Sequence, residues 1–79
     1  MRSVSYDDLR VSLFAPIDRE TPIVEVLLDE EPLFDLSYQD DDPGSDVVVL
    51  FHDKASGIVL PNSDLSKIIE KGICRLREG

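Results

Sequence analysis

A chain of 79 residues with 42% hydrophobic and 32% charged residues has the composition of one small globular domain, residues 1–79, rather than of a disordered segment. A domain of this size has a thin core, so we expect the protein to act through its outer surface and not through a buried catalytic pocket. The net charge of −9 argues against direct binding of nucleic acid or of an anionic membrane, because both would repel the protein.

The chain shows no signal for export or for membrane insertion. Its longest apolar run, residues 47–51, is far too short to cross a bilayer, and the opening residues MRSVSYDDLR lack the apolar core of a signal peptide. The single cysteine, Cys74, cannot form an internal disulfide, which fits a reducing compartment. A cytoplasmic protein is therefore expected.

The sequence predicts an α+β fold, namely an antiparallel β-meander of four to five strands with one C-terminal α-helix packed on one face. Runs of β-branched and aromatic residues, bounded by Pro, Gly and Asp, define the strands. They are predicted at residues 10–15, 23–28, 33–38, 46–52 and 57–60. No repeat and no linker divides the chain.

The second and third strands predict a hairpin with a defined register. Val26 opposite Phe34 keeps the apolar residues of both strands on one face, and a slip by one residue would mix the faces. This register needs a loop with an odd number of residues, such as 29–31. It also sets Glu25 opposite Asp35 on the other face, where like charges destabilise the sheet.

The fourth strand is predicted at the centre of the sheet, because both of its faces are apolar. A four-residue loop, 53–56, then leads into the short last strand. This loop would pair Phe51 with Ile58 across a second hairpin.

The helix is predicted at residues 63–77 from apolar residues that recur at helical spacing on one face. These residues are Leu65, Ile68, Ile69, Ile73 and Leu76. Ser63 or Asn62 is expected to cap the first turn. Gly72 lies on the apolar face, where its missing side chain lowers helix propensity but lets the helix approach the sheet closely.

One helix covers only one face of a sheet, so the other face is expected to be open. Its predicted apolar residues are Leu27, Leu33, Val48, Leu50 and Val59. Glu25 and Asp35 lie among them, and apolar residues interleaved with acids are typical of a protein-binding surface. The alternatives are that the N-terminal segment covers this face or that the face joins two copies in a homodimer.

The stretch YQDDDPGSD, residues 38–46, concentrates the negative charge. The first 53 residues carry 14 acids and 3 bases, a balance of −11, whereas the remainder carries 3 acids and 5 bases, a balance of +2. A calcium loop starting at Asp40 would need an oxygen ligand where Gly44 stands and a glutamate where Phe51 stands. No metal site is therefore predicted, and Pro-Gly indicates a solvated turn.

No motif for catalysis, for a cofactor or for a metal is present, so the chain is not expected to be an enzyme. His52 and Asp53 cannot share a proton with Ser56 as a triad, because adjacent strand residues point to opposite faces. Cys74 falls on the polar side of the predicted helix, where it is expected to be at least partly exposed, either as a reactive thiol or as an incidental surface residue.

In size, acidity and meander-plus-helix layout the chain resembles the small immunity proteins of bacterial toxin systems. In the same general way it is similar to phage-encoded inhibitors of nuclease-based defence. The resemblance extends over the whole chain and rests on general character, so it transfers no functional residue. It implies a non-enzymatic inhibitor that occludes the basic surface of a toxin or nuclease-type partner.

We expect acidic residues to attract and orient the partner and apolar residues to contribute buried area. The acids expected to steer a basic partner are Glu25, Asp35, Asp40, Asp41, Asp42 and Asp46. The apolar residues expected to be buried by it are Leu27, Leu33 and Leu50. Alternatives are a structural or regulatory subunit that forms a homodimer or joins a larger complex through the open face, a phage anti-defence protein that mimics nucleic acid, and an acidity that serves solvation alone.

Overall fold

A computed structural model describes all residues from Met1 to Gly79 and has the predicted α+β architecture. In chain order the elements are β1 (Arg2–Ser3), β2 (Leu9–Phe14), β3 (Ile23–Leu28), β4 (Glu31–Tyr38), β5 (Val47–Phe51), β6 (Ile58–Val59) and α1 (Asn62–Glu78). Strands β2 to β5 form an antiparallel meander in sequence order, and β1 and β6 form a separate parallel pair. The helix α1 packs on one face of the meander and is too short and too polar to span a bilayer.

The β3–β4 hairpin has the predicted register, with Val26 opposite Phe34, but a different turn. Asp29 and Glu30 alone form the turn, with φ of 52° and 69°, as the two-residue turns that suit twisted strands require. This turn is one residue shorter than the predicted odd loop. A bulge at Leu33 adds one residue to β4 and so restores the predicted register beyond it. The bulge turns Leu33 into the core, where it is 5% exposed, so its predicted place on the open face is wrong.

Strand β5 lies at the edge of the meander and not at its centre. It pairs only with β4, and the last strand, β6, pairs in parallel with β1 instead of returning to β5. The predicted pairing of Phe51 with Ile58 is therefore wrong, because Ile58 lies opposite Arg2. Val59, predicted on the open face, belongs to this second sheet as well.

The helix buries the predicted apolar face against the meander. Ile68 and Leu76 are at most 1% exposed, and Gly72 lies directly over Leu36 of β4. The predicted cap is wrong, since neither Ser63 nor Asn62 caps the helix and the carbonyl of Pro61 accepts the first helical hydrogen bond instead. 

Asp64, in the first turn of α1, holds the N-terminal segment. Its carboxylate accepts a hydrogen bond of 2.9 Å from the backbone N–H of Tyr6. Val4 joins the same core as the helix, so the N-terminal segment packs on the helix side of the sheet. The opposite face of the meander, here called the open face, is therefore covered by neither segment.

Candidate protein-binding surface

Alternate loops of a meander lie at the same end of the sheet, so the acids of the loops between β2 and β5 divide between two ends. At the β3–β4 turn, each acid has a basic partner. Asp29 pairs with Arg2 at 2.8 Å, Glu30 pairs with Arg10 at 2.6 Å, and Glu31 pairs with Lys54 at 3.4 Å. The charge at this turn is thus compensated within the chain.

The opposite end of the sheet is formed by the β2–β3 and β4–β5 connections, residues 15–22 and 39–46. Its six acids, here called the acidic end, are Asp18, Glu20, Asp40, Asp41, Asp42 and Asp46. Arg19 is the one basic residue of these two connections, and its guanidinium lies 3.5 Å from Asp41. This end therefore carries most of the uncompensated negative charge of the sheet.

Asp41 fastens the two connections of the acidic end to each other. Its carboxylate accepts hydrogen bonds from the hydroxyl of buried Thr21, from the backbone N–H of Glu20 at 2.7 Å and from the backbone N–H of Thr21 at 2.8 Å. The hydrogen bond from the Thr21 hydroxyl, followed by that from Glu20, lowers the pKa of Asp41 to about 2. Asp41 was predicted as a partner-binding acid, but in the structure its carboxylate is engaged within the chain.

This hydrogen bonding predicts an acid-dependent stability that Asp41→Asn should remove. Because the pKa of Asp41 is lower in the folded than in the unfolded chain, its contribution is complete above pH 4 and is lost as the pH falls from about 4 to about 2. We expect the melting temperature of the variant to be several degrees below that of the wild type at pH 7, with the gap closing by pH 2. Thermal unfolding followed by circular dichroism at pH 7, 4, 3 and 2 measures this.

Asp40→Asn is the matched control, because Asp40 adjoins Asp41 but its carboxylate accepts no hydrogen bond in the chain. The Asp40→Asn variant should keep the wild-type difference in melting temperature between pH 7 and pH 2. If both variants lose stability equally, the Asp41 contacts are not the cause.

The remaining acids of the acidic end differ in how far they are engaged. Asp42 accepts the N–H of Gly44 at 2.9 Å, and Asp46 accepts the N–H of Val47 at 2.9 Å, so both also shape the turn. The carboxylates of the other three acids make no hydrogen bond or ion pair within the chain. These three are Asp18, Glu20 and Asp40. Sequence reasoning missed Asp18 and Glu20, although the meander order alone places their loop beside residues 39–46.

The open face carries the other predicted acids in one row across the sheet. Glu25 lies opposite Asp35, as predicted, and Asp35 in turn lies opposite Leu50. Asp35 has a close neighbour within the chain, since its Oδ2 lies 3.0 Å from Nε2 of His52, and the side chain of Asp35 is only 15% exposed. His52 was not predicted as a partner of this acid.

Of the apolar residues predicted for the open face, only those on the edge strand β5 are exposed there. Leu27 lies on this face but is 8% exposed, and Leu33 lies in the core, so neither offers area to a partner. Leu50 is 60% exposed and Val48 is 40% exposed, both on β5. Phe14, 40% exposed at the end of β2, was not predicted as part of this face.

Strand β5 also borders an apolar pocket on the helix side. The ring of Phe51 packs against that of Phe34 with centroids 5.5 Å apart, and the pocket beside them has a volume of about 210 Å³. Its lining residues are Leu33, Phe34, Phe51, Ala55, Ile58, Leu60 and Leu65. Four of the five large apolar side chains that the strands of the meander expose therefore lie on β5, on both of its faces.

Cys74 is exposed on α1, as expected for the polar side of the helix. No group of three or more His, Cys, Asp or Glu side chains converges in a geometry that could hold a metal ion. The acidic end, the exposed part of the open face and β5 adjoin one another and together form the candidate binding surface. Comparison of the chain with protein-family models, with curated proteins and with solved structures finds no match.

Proposed function

We propose that the chain is a non-enzymatic binding protein that inhibits a basic, nucleic-acid-handling protein, such as a toxin or nuclease-type effector, by covering its cationic surface. The acidic end is the part that meets the partner. The carrying observation is the contrast between the two ends of the sheet, because the acids of the β3–β4 turn have basic partners within the chain and Asp18, Glu20 and Asp40 have none.

Uncompensated carboxylates on one end of a small protein act on a basic partner before contact. Charges attract across a Debye length of about 8 Å at physiological salt, and such steering raises association rates by about 10- to 1000-fold. Unpaired carboxylates also lose no internal ion pair when the partner binds. Six acids against one arginine thus favour fast, oriented docking on a cationic cleft.

Apolar area adjoining the acidic end supports the same proposal. The acidic Asp46 leads directly into β5, whose Val48 and Leu50 are exposed on the open face. Burial of such side chains supplies affinity that steering alone does not. We place this inhibition in the cytoplasm, where a lone exposed thiol such as Cys74 stays reduced.

The test compares two triple variants with the same change in net charge. Asp18→Asn/Glu20→Gln/Asp40→Asn removes the unpaired carboxylates of the acidic end. Asp29→Asn/Glu30→Gln/Glu31→Gln, the control, removes three surface-paired carboxylates whose ion pairs add little stability. The partner assayed is the product of the neighbouring gene, and the measurement is its association rate by stopped flow at two salt concentrations.

We expect the acidic-end variant to associate about tenfold more slowly than the wild type at low salt and to lose most of the salt dependence. The control should remain within about threefold of the wild type. Equal slowing of both variants would mean that net charge alone is responsible, and an absence of binding by the wild type would refute the proposal.

A further inference from the structure

Strand β5 is an unprotected edge. Edge strands of soluble proteins usually carry a lysine, a proline or a bulge that blocks further pairing. The five residues of β5, VVVLF, contain none of these, and four of them are exposed, from 38% at Val49 to 63% at Phe51. The opposite edge strand, β2, carries Arg10 within its span. A free apolar edge of this kind is suited to pairing with another strand.

The hydrogen bonds to β4 show which backbone groups of β5 are free. His52 N donates to Leu33 O at 2.9 Å, and Gln39 N donates to Asp46 O at 2.8 Å. Bonded positions alternate along an antiparallel ladder, so the even-numbered residues from 46 to 52 face β4. The residues whose N–H and C=O groups point away from the sheet are Val47, Val49 and Phe51.

We propose that β5 pairs with β5 of a second copy in antiparallel orientation, joining the two four-stranded meanders into one continuous sheet. A two-fold axis at Val49 places Val49 opposite its own copy and Val47 opposite Phe51 of the other chain. This register satisfies all three outward residues of each strand. A shift by two residues leaves a part of them unpaired, and a shift by one brings inward-facing groups to the interface.

The position of the acidic end beside β5 favours this orientation. The strand begins after Asp46 of the acidic end and ends before His52, Asp53 and Lys54, where Asp53 offsets the charge of Lys54. Antiparallel pairing in the stated register sets Asp46 opposite His52 of the second copy, on the same face of the sheet. Parallel pairing would instead bring the two acidic ends together, and like charges side by side oppose association.

The side chains of β5 complement themselves in the same register. On the open face, Val48 of one chain meets Leu50 of the other, and these are among the most exposed apolar residues of the sheet. On the helix face, Val47 meets Phe51. The dimer thus removes apolar surface from water on both faces while it completes the backbone ladder. The pairing does not depend on the proposed inhibitory function.

Light scattering coupled to size exclusion, from about 1 to 100 μM, tests the oligomeric state, and we expect a reversible dimer in this range. Val49→Pro removes an outward N–H and leaves the ladder to β4 intact. It should raise the dimer dissociation constant by about tenfold or more without changing the circular dichroism spectrum. Ile17→Lys, a change at a fully exposed apolar residue remote from β5, is the control that should remain dimeric.

Cross-linking tests the register without relying on the proline variant. In a Cys74→Ser background, Val49→Cys should form an intermolecular disulfide on mild oxidation, because paired Cα atoms lie about 5.5 Å apart. Val47→Cys should not, since its own copy lies about 13 Å further along the strand. Equal cross-linking of both variants, or a wild type that is monomeric at 100 μM and leaves the edge to a strand of another protein, would overturn the proposal.

Discussion

Leu36→Ala should destabilise the protein by about 2–5 kcal/mol, the cost of removing a fully buried leucine from a core that cannot collapse around the cavity. Leu36 is 0% exposed, lies in the middle of β4 and packs under Gly72 of α1. For a domain of this size the loss corresponds to a fall in melting temperature of about 10 °C or more. Total stabilities of small domains lie near the lower end of about 5–15 kcal/mol, so the variant should approach unfolding at room temperature. Urea denaturation at pH 7 measures the difference.

Ile17→Ala provides the comparison for Leu36→Ala. Ile17 is an apolar residue of the same size, but it lies in the β2–β3 connection and is fully exposed. Its truncation should change the free energy of unfolding by less than about 0.5 kcal/mol. Similar losses for both variants would show that Leu36 does not occupy the core position described above.

The helix and the hairpin register were predictable because each follows from a period in the sequence. Ile68, Gly72 and Leu76 recur every four residues and share one helical face, and all three are buried. The alternation of Val26 and Phe34 with the neighbouring acids allows one register only, and that register is present. Periodicity specifies which residues face the core, and burial of those residues then fixes the pairing.

The position of Leu33 was not predictable from the same alternation. An odd loop without a bulge and a two-residue turn with a bulge give the same register beyond the bulge, so the pattern cannot distinguish them. The turn residues, Asp29 and Glu30, are not the Asn-Gly or Asp-Gly pair that signals a two-residue turn. The residue types at the turn therefore did not indicate the bulge that places Leu33 in the core.

The sequence predicted a central position for β5, which is wrong, because a central strand and an edge strand that binds another strand have the same residue pattern. A strand covered on both faces is apolar throughout, and so is an edge strand that pairs with another chain. Residues 47–51 are apolar on both faces and exposed on both. If β5 pairs with a second copy as proposed, its sequence matches the central position it would then occupy.

The acidic end was predicted in part, since the run of three aspartates at residues 40–42 indicated an acidic loop. The structure adds Asp18 and Glu20, which are distant in sequence but adjacent through the bonds from Glu20 and Thr21 to Asp41. Local acid density therefore identified the aspartates of one loop, whereas loop order in the meander identifies the surface.

The second large effect concerns Gly72, where helix propensity and packing predict opposite signs. By propensity alone, Gly72→Ala in the middle of α1 should stabilise the protein by about 1 kcal/mol. A Cβ at this position, however, would overlap the Cδ1 methyl of Leu36, whose side chain is fully buried and would have to shift within a packed core. Overpacking of this kind costs about 1–3 kcal/mol, so we expect net destabilisation, measured as a lower urea midpoint.

A double-mutant cycle with Leu36→Val isolates this contact. Valine lacks the overlapping methyl, and the remaining neighbours of the new Cβ, Cγ of Leu36 and Cγ1 of Val24, lie at 3.7 and 3.6 Å, which is ordinary contact. In the Leu36→Val background, Gly72→Ala should therefore be neutral or stabilising, with a coupling energy of about 1–3 kcal/mol. Additive effects of the two substitutions would mean that the helix does not lie against β4 at Gly72. The reversal of sign, in contrast, would show that the glycine is required because the helix crosses the sheet at this residue.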